Sequence, residues 1–181
     1  MVNIYELKLT ILQQEISRLL FVKAGSSMNA HAIAKALNVS QPAVSKALPQ
    51  MEKKGLIKMK KDKNSKRFSI ELNRDDHNII WLKRADNLKQ LYDSGLVQNL
   101  YDKFPGASII LFGSYAFGED TINSDIDLAI IGYDKEISLE MFEKILGRTI
   151  SLNYYESFKK IDKHLLNNIL NGITLKGAID L

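Results

Sequence analysis

Two aspartates one residue apart, Asp125 and Asp127, follow a Gly113-Ser114 pair, with residues 115–124 between them. The run Ser108-Ile109-Ile110-Leu111-Phe112 before the glycine reads as a buried strand, and residues 125–131 alternate like a second one. Alternation puts Asp125 and Asp127 on one face of that strand, with Ile126 and Leu128 on the other. Side-by-side carboxylates repel unless a cation sits between them. Mg²⁺, a hard ion taking oxygen ligands, is the natural occupant. Gly113 lets the backbone approach a bound group closely. Ser114 opens a helical turn whose free N–H groups and hydroxyl can hold phosphate oxygens. Taken alone, Asp125 reads as an N-cap or turn residue at a strand start.

A second set of residues suits a different polyanion. Residues 41–51 have helical spacing, with Val44, Ala47, Leu48 and Met51 on the apolar face and Ser40 as the N-cap. The opposite face offers Gln41, Ser45, Lys46 and Gln50, side chains able to reach base edges in a major groove. Pro49 lies inside this helix, where a missing N–H predicts a bend. Residues 58–67 follow as a basic hairpin with Lys58, Lys60, Lys61, Lys63, Lys66 and Arg67 available to phosphates. The charge distribution agrees: residues 1–72 carry 13 Lys/Arg against 5 Asp/Glu, whereas residues 73–181 carry 12 against 16.

The elements that must position these groups can be read in order. Ile4, Leu7, Ile11, Leu12, Ile16, Leu19 and Leu20 predict a long first helix ended by Gly25-Ser26-Ser27. Asn29 caps a short second helix, and Asn38-Val39-Ser40 turns into the third. Leu56-Ile57 and Phe68-Ser69-Ile70 read as short strands flanking the hairpin. Residues 75–104 keep a helical period through Ile80, Leu88, Leu91, Leu96, Leu100 and Phe104, with a break at Asp93-Ser94-Gly95. After the aspartates come a helix over 138–146, a strand over 148–154, a helix over 157–170 and a short strand at 173–175. The domain expectation is 1–73, a helical linker 74–104, and 105–181.

The stretch from Asn29 to Gly55, with the basic hairpin after it, resembles the helix-turn-helix of bacterial and archaeal winged helix regulators. That resemblance covers about the first 72 residues and implies double-stranded DNA as partner. By analogy with such regulators, the apolar stripe of the first helix implies a homodimer. Leu111 to Leu128, with Gly-Ser, ten residues and Asp-x-Asp, resembles the minimal nucleotidyltransferases of the DNA polymerase β superfamily. That second resemblance runs from about residue 107 to the end, where Asn171-Gly172-Ile173-Thr174-Leu175-Lys176-Gly177 looks like the family's closing segment. It implies a catalytic and metal-binding role for Asp125 and Asp127, nucleotide binding by Gly113 and Ser114, a nucleoside triphosphate as ligand and Mg²⁺ as cofactor. The whole is then an α+β chain: a winged helix-turn-helix followed by a small polymerase β-like α/β domain with a mixed sheet.

The chain departs from the second family at two places. The family places a third carboxylate on a later strand, in an apolar–acid–apolar context. Here that strand reads Arg148-Thr149-Ile150-Ser151-Leu152-Asn153, with Ser151 at the acidic position. Serine is a poor base and a weak metal ligand. Asn153, on the same face, can ligate but cannot take a proton. The family also carries an arginine near the glycine matching Gly118, and the preceding residue here is Phe117. Three readings follow: a nucleotide-responsive DNA-binding regulator with weak or no transfer; a working transferase that places a nucleotide such as AMP on a protein or other hydroxyl acceptor; and a scaffold for dimerisation or partner binding. The absence of cysteine excludes disulfides and thiolate metal sites. No apolar run approaches the ~18–20 residues of a membrane span, and no signal pattern opens the chain. The expected location is cytoplasmic.

Overall fold

The computed structural model describes residues 8–61 and 68–181. It divides into two compact units, Met1–Ile79 and Ile80–Leu181.

In the first unit α1 (Ile11–Val22) opens on a capping box: Thr10 accepts from the Gln13 N–H, and the Gln13 side chain accepts from the Thr10 N–H. The sequence expectation began this helix at Ile4. Residues 1–7 lie outside the described residues, and Thr10, in an extended conformation, sets the observed start. α2 (Ala30–Leu37) is capped by Asn29 and ends at Asn38, whose φ of 53° is the left-handed geometry asparagine tolerates. α3 (Gln41–Lys53) is capped by Ser40 and continues through Pro49. β1 (Ile57–Lys61) and β2 (Phe68–Leu72) pair antiparallel, so the first strand of the basic hairpin runs on through Lys58 to Lys61, past the expected Leu56-Ile57. The reason is alternation: Ile57 and Met59 pack inward while Lys60 faces solvent. Ile16, Leu20, Ile33, Val44, Leu48, Met51, Leu56 and Ile70 form the core.

α4 (His77–Asp93) and α5 (Leu96–Lys103) are separated by Ser94-Gly95, at the expected break. The second unit is built on a four-stranded sheet in the order β5-β4-β3-β6, comprising β3 (Ser108–Phe112), β4 (Ile126–Ile131), β5 (Ile150–Tyr155) and β6 (Ile173–Lys176). β4 and β5 run parallel and the other pairs antiparallel, so the sheet is mixed. One face, with Ile109, Leu111, Ile126, Leu128 and Ile130, packs in a core with Leu91, Leu96 and Leu100 of α4 and α5 and with Phe142 and Leu146 of α7 (Glu140–Leu146). The other, with Ile110, Phe112, Ala129 and Ile131, meets Ile169 of α8 (Lys163–Leu170) together with Phe158 and Ile161. The single helix expected over 157–170 is two pieces, a 3₁₀ turn Phe158–Lys160 and α8. Asp162 divides them by capping α8, accepting the N–H groups of His164 and Leu165.

Candidate functional site

β3 delivers the chain to Gly113, where φ turns to +70° and the short helix α6 (Gly113–Phe117) begins. The antiparallel register pairs Phe112 with Asp127, so the Asp127 side chain lands beside this turn. A Cβ added at Gly113 would lie 2.5 Å from Asp127 Oδ2. Glycine is therefore required at 113 both for its backbone angle and to leave the carboxylate room. Ser114 is half-buried in the first turn of α6, Asp127 is half-buried, and Asp125, just before β4, is exposed. Partial burial pushes the Asp127 carboxyl above the ordinary carboxylate range, and the nearby Asp125 charge pushes it further.

On the other side of β4 the parallel register sets Ser151 next to Asp127 and Asn153 next to Ala129. Asn153 Nδ2 lies 3.5 Å from Ser151 Oγ. The hydroxyl thus occupies the neighbouring position on the same strand face as the aspartate. Among the described residues no group of three or more His, Cys, Asp or Glu forms a cage for a metal ion. The donor set is two carboxylates, one exposed and one raised by burial and by its neighbour's charge. That set fits a divalent ion that brings phosphate oxygens as its remaining ligands.

The raised Asp127 has a consequence for stability. Its ionised form is disfavoured in the folded chain, so the charge costs stability above the folded pKa. That cost is relieved as pH falls through the folded pKa toward the unfolded value. Asp127→Asn is therefore expected to raise the Tm of the metal-free protein at neutral pH, and to gain nothing at a pH below the ordinary value of 3.8. Thermal scans at the two pH values check this, and saturating Mg²⁺ with nucleotide should erase the neutral-pH gain.

Beneath this site lies a buried charged cluster that the sequence reading missed. Lys83 and Asp120 are fully buried, Asn87 is 5% exposed, and the Arg148 side chain is 3% exposed. Lys83 Nζ donates to Asp120 Oδ1, and Asn87 Nδ2 donates to the same oxygen at 2.7 Å. Arg148 Nη2 sits 2.8 Å from Asp120 Oδ2 as an ion pair. Arg148 Nη1 donates to the carbonyls of Thr121 and, at 3.2 Å, of Ser124. A signal was available: Ile79, Lys83, Asn87 and Leu91 recur every four residues, so two polar side chains occupy inward positions of α4.

In the first unit Gln41, Ser45 and Lys46 are exposed on α3, and the Ser40 hydroxyl is spent on the Ala43 N–H. Gln50 Oε1 accepts from Gln13 Nε2 of α1 at 3.3 Å, so that side chain is tied to its own domain. A cavity of about 780 Å³ separates α3 from the hairpin, lined by Gln41, Ser45, Leu48, Pro49, Met59 and Phe68 among others. Lys60 pairs with Glu71 at 3.0 Å across the ladder and Lys58 pairs with Asp75, while Lys61 is exposed. Lys58 holds the Asp75 carboxyl below the usual carboxylate range through its hydrogen bond and charge. Lys63, Lys66 and Arg67 lie outside the described residues.

Comparison with known proteins agrees with this division. The Nucleotidyltransferase domain family matches residues 94–171, and the MarR family matches residues 13–68. No curated protein matches the chain. Among solved structures, the S. aureus MepR–DNA complex is 24% identical over 54% of this chain and 70% of that one, with a TM-score of 0.42. A mutant of Lactococcus lactis ZitR is 21% identical over 57% and 68%, with a TM-score of 0.41. The adhesin competence repressor AdcR from Streptococcus pyogenes is 28% identical over 54% and 69%, with a TM-score of 0.40. No helix of the described residues is long and apolar enough to cross a membrane. The chain is an α+β protein whose first unit matches the MarR family over residues 13–68 and whose second unit matches the Nucleotidyltransferase domain family over residues 94–171.

Proposed function

We propose that this protein is a DNA-binding regulator whose second domain binds a Mg²⁺–nucleoside triphosphate and transfers its nucleotidyl group weakly or not at all. The observation that carries the reading is Ser151 beside Asp127: the strand position next to the carboxylate holds a hydroxyl. Gly113 and Ser114 would hold phosphate oxygens at the start of α6. Asp125 and Asp127 would hold the metal, which when bound neutralises the triphosphate and polarises its α-phosphorus. Ser151 and Asn153 can donate hydrogen bonds to a phosphate or an acceptor, but neither can take a proton from an attacking hydroxyl at neutral pH. Binding without efficient transfer is the behaviour such a set supports.

For the first domain, the reading rests on exposed Gln41, Ser45 and Lys46 on one helix and on basic side chains along the hairpin. α3 would enter the major groove, and Lys60, Lys61, Lys63, Lys66 and Arg67 would meet phosphates. Two copies would read the two halves of an operator, and light scattering at micromolar concentration should return a dimer.

The deciding experiment is a calorimetric titration of each nucleoside triphosphate with and without Mg²⁺. Mg²⁺-dependent binding that disappears in Asp125→Asn/Asp127→Asn is expected. Absence of binding by the unaltered protein would reduce the domain to a scaffold. Labelling of a protein by α-labelled nucleotide would instead establish the working transferase. Replacing Lys60, Lys61, Lys63 and Lys66 with Gln should weaken DNA binding. The same change should flatten the salt dependence, lowering the slope of log affinity against log salt by about 0.9 for each phosphate no longer neutralised. Unchanged affinity would remove the hairpin from the interface.

A further inference from the structure

We propose that Arg148 is a positioning residue for the carboxylate pair: clamped by buried Asp120, its guanidinium fixes the loop that presents Asp125 beside Asp127. The inference rests on the nucleotide-binding reading above and assigns the part of the chain that shapes that site.

Residues 119–125 lie between α6 and β4 and belong to neither. The Glu119 N–H closes on the Ser114 carbonyl of α6 at 3.0 Å, and Asp120, next along the loop, is fully buried. Arg148 supplies partners for this stretch. One arm of its planar fork reaches the carbonyls of Thr121 and Ser124, the latter immediately before Asp125. The other arm pairs with Asp120. The Ser124 hydroxyl accepts from the Thr121 N–H at 2.9 Å, and the Ser124 N–H donates to the Thr121 carbonyl at 3.0 Å. The Ile126 N–H, just past Asp125, donates to the carbonyl of Thr149, the neighbour of Arg148. Both ends of the turn before Asp125 are thus tied to residues 148–149. Lys83 and Asn87 hold the remaining oxygen of Asp120, so the clamp itself is anchored on α4.

Burying a guanidinium costs desolvation that an apolar side chain of similar size would avoid. Its return here is geometric, since only a planar fork serves a carboxylate and two carbonyls at once. A lysine keeps the charge but concentrates it at one point, so it can serve Asp120 or the loop carbonyls but not both.

The test uses the full chain with Arg148→Lys, or with Arg148→Gln should the first variant fail to fold. Hydrogen exchange should quicken about tenfold or more at the amides of residues 121–126, the factor that loss of one charge-assisted hydrogen bond represents. Exchange in β3 should stay as it is. By calorimetry, the Mg²⁺ concentration for half-maximal nucleotide binding should rise by about the same tenfold factor. Affinity at saturating Mg²⁺ should change much less, a separation that a general loss of stability would not produce. An unchanged Mg²⁺ midpoint, or unchanged loop exchange in a folded variant, overturns the proposal. If the unaltered protein binds no nucleotide, the nucleotide-binding reading fails by itself. Loop exchange then decides alone: quickened exchange keeps Arg148 as the residue that orders this loop, and unchanged exchange removes it.

Discussion

Replacing Ser151 with aspartate is expected to raise nucleotidyl transfer by about 10²–10⁴-fold, the usual contribution of a positioned general base. The expectation follows from register. β4 and β5 run parallel with Asp127 opposite Ser151, so their side chains share a strand face. Ser151 is half-buried rather than sealed, which gives a carboxylate at that position access to metal and water. Asn153 Nδ2, now 3.5 Å from the serine oxygen, is placed to donate to the new carboxylate and orient it. In the transfer step an acceptor hydroxyl oxygen bonds to the α-phosphorus, its proton passes to the carboxylate, and pyrophosphate leaves. The readout is pyrophosphate release from α-labelled nucleotide, with label counted on the chain and on added hydroxyl compounds. Ser151→Asn, which adds a ligand but no base, should leave the rate at its starting level. A rate unchanged in Ser151→Asp would show that a base at this position does not limit transfer.

The parts of this molecule legible in sequence are those set by local rules. Asn29, Ser40 and Asn38 announced the ends of α2 and α3 because capping needs a particular side chain at one position. The break before α5 was legible from Ser94-Gly95, where φ at the glycine is +77°. Gly113 and Asp127 stood out by the spacing of their motif, whereas their juxtaposition comes from the antiparallel pairing of β3 with β4. Two local signals were there and were passed over: the Thr10-x-x-Gln13 capping box that starts α1, and Asp162, which divides the last helix. The buried cluster was illegible for a different reason. Lys83 and Asp120 stand 37 residues apart, and Asn87 and Asp120 stand 33 apart. Period alone marks Lys83 and Asn87 as inward-facing but cannot name the partner that makes burial tolerable. Gly118 belongs with them, since a Cβ there would meet the Ile80 carbonyl oxygen at 2.5 Å, an approach only the folded chain reveals.

Asp120→Ala is expected to destabilise the second unit by about 3–5 kcal/mol, the cost of leaving a buried charge without its partner. Lys83 is fully buried, and Asn87 Oδ1, at 3.5 Å, is too distant to replace a carboxylate. Arg148 keeps its two carbonyl acceptors, so Lys83 bears most of the loss. Trp81, the single tryptophan, lies on α4 in the second unit, so denaturant unfolding followed by its fluorescence reads the relevant transition. The companion variant Lys83→Met/Asp120→Asn removes the charge with its partner and keeps an amide for Asn87. It should recover more than half of the loss, because the penalty belongs to the buried ammonium that has lost its carboxylate and not to the absent carboxylate as such. If instead the double variant is as unstable as Asp120→Ala, the carboxylate matters chiefly through Arg148 and the loop it holds. A loss smaller than about 1 kcal/mol in Asp120→Ala would mean that Lys83 reaches water once released, in the manner of an exposed pair.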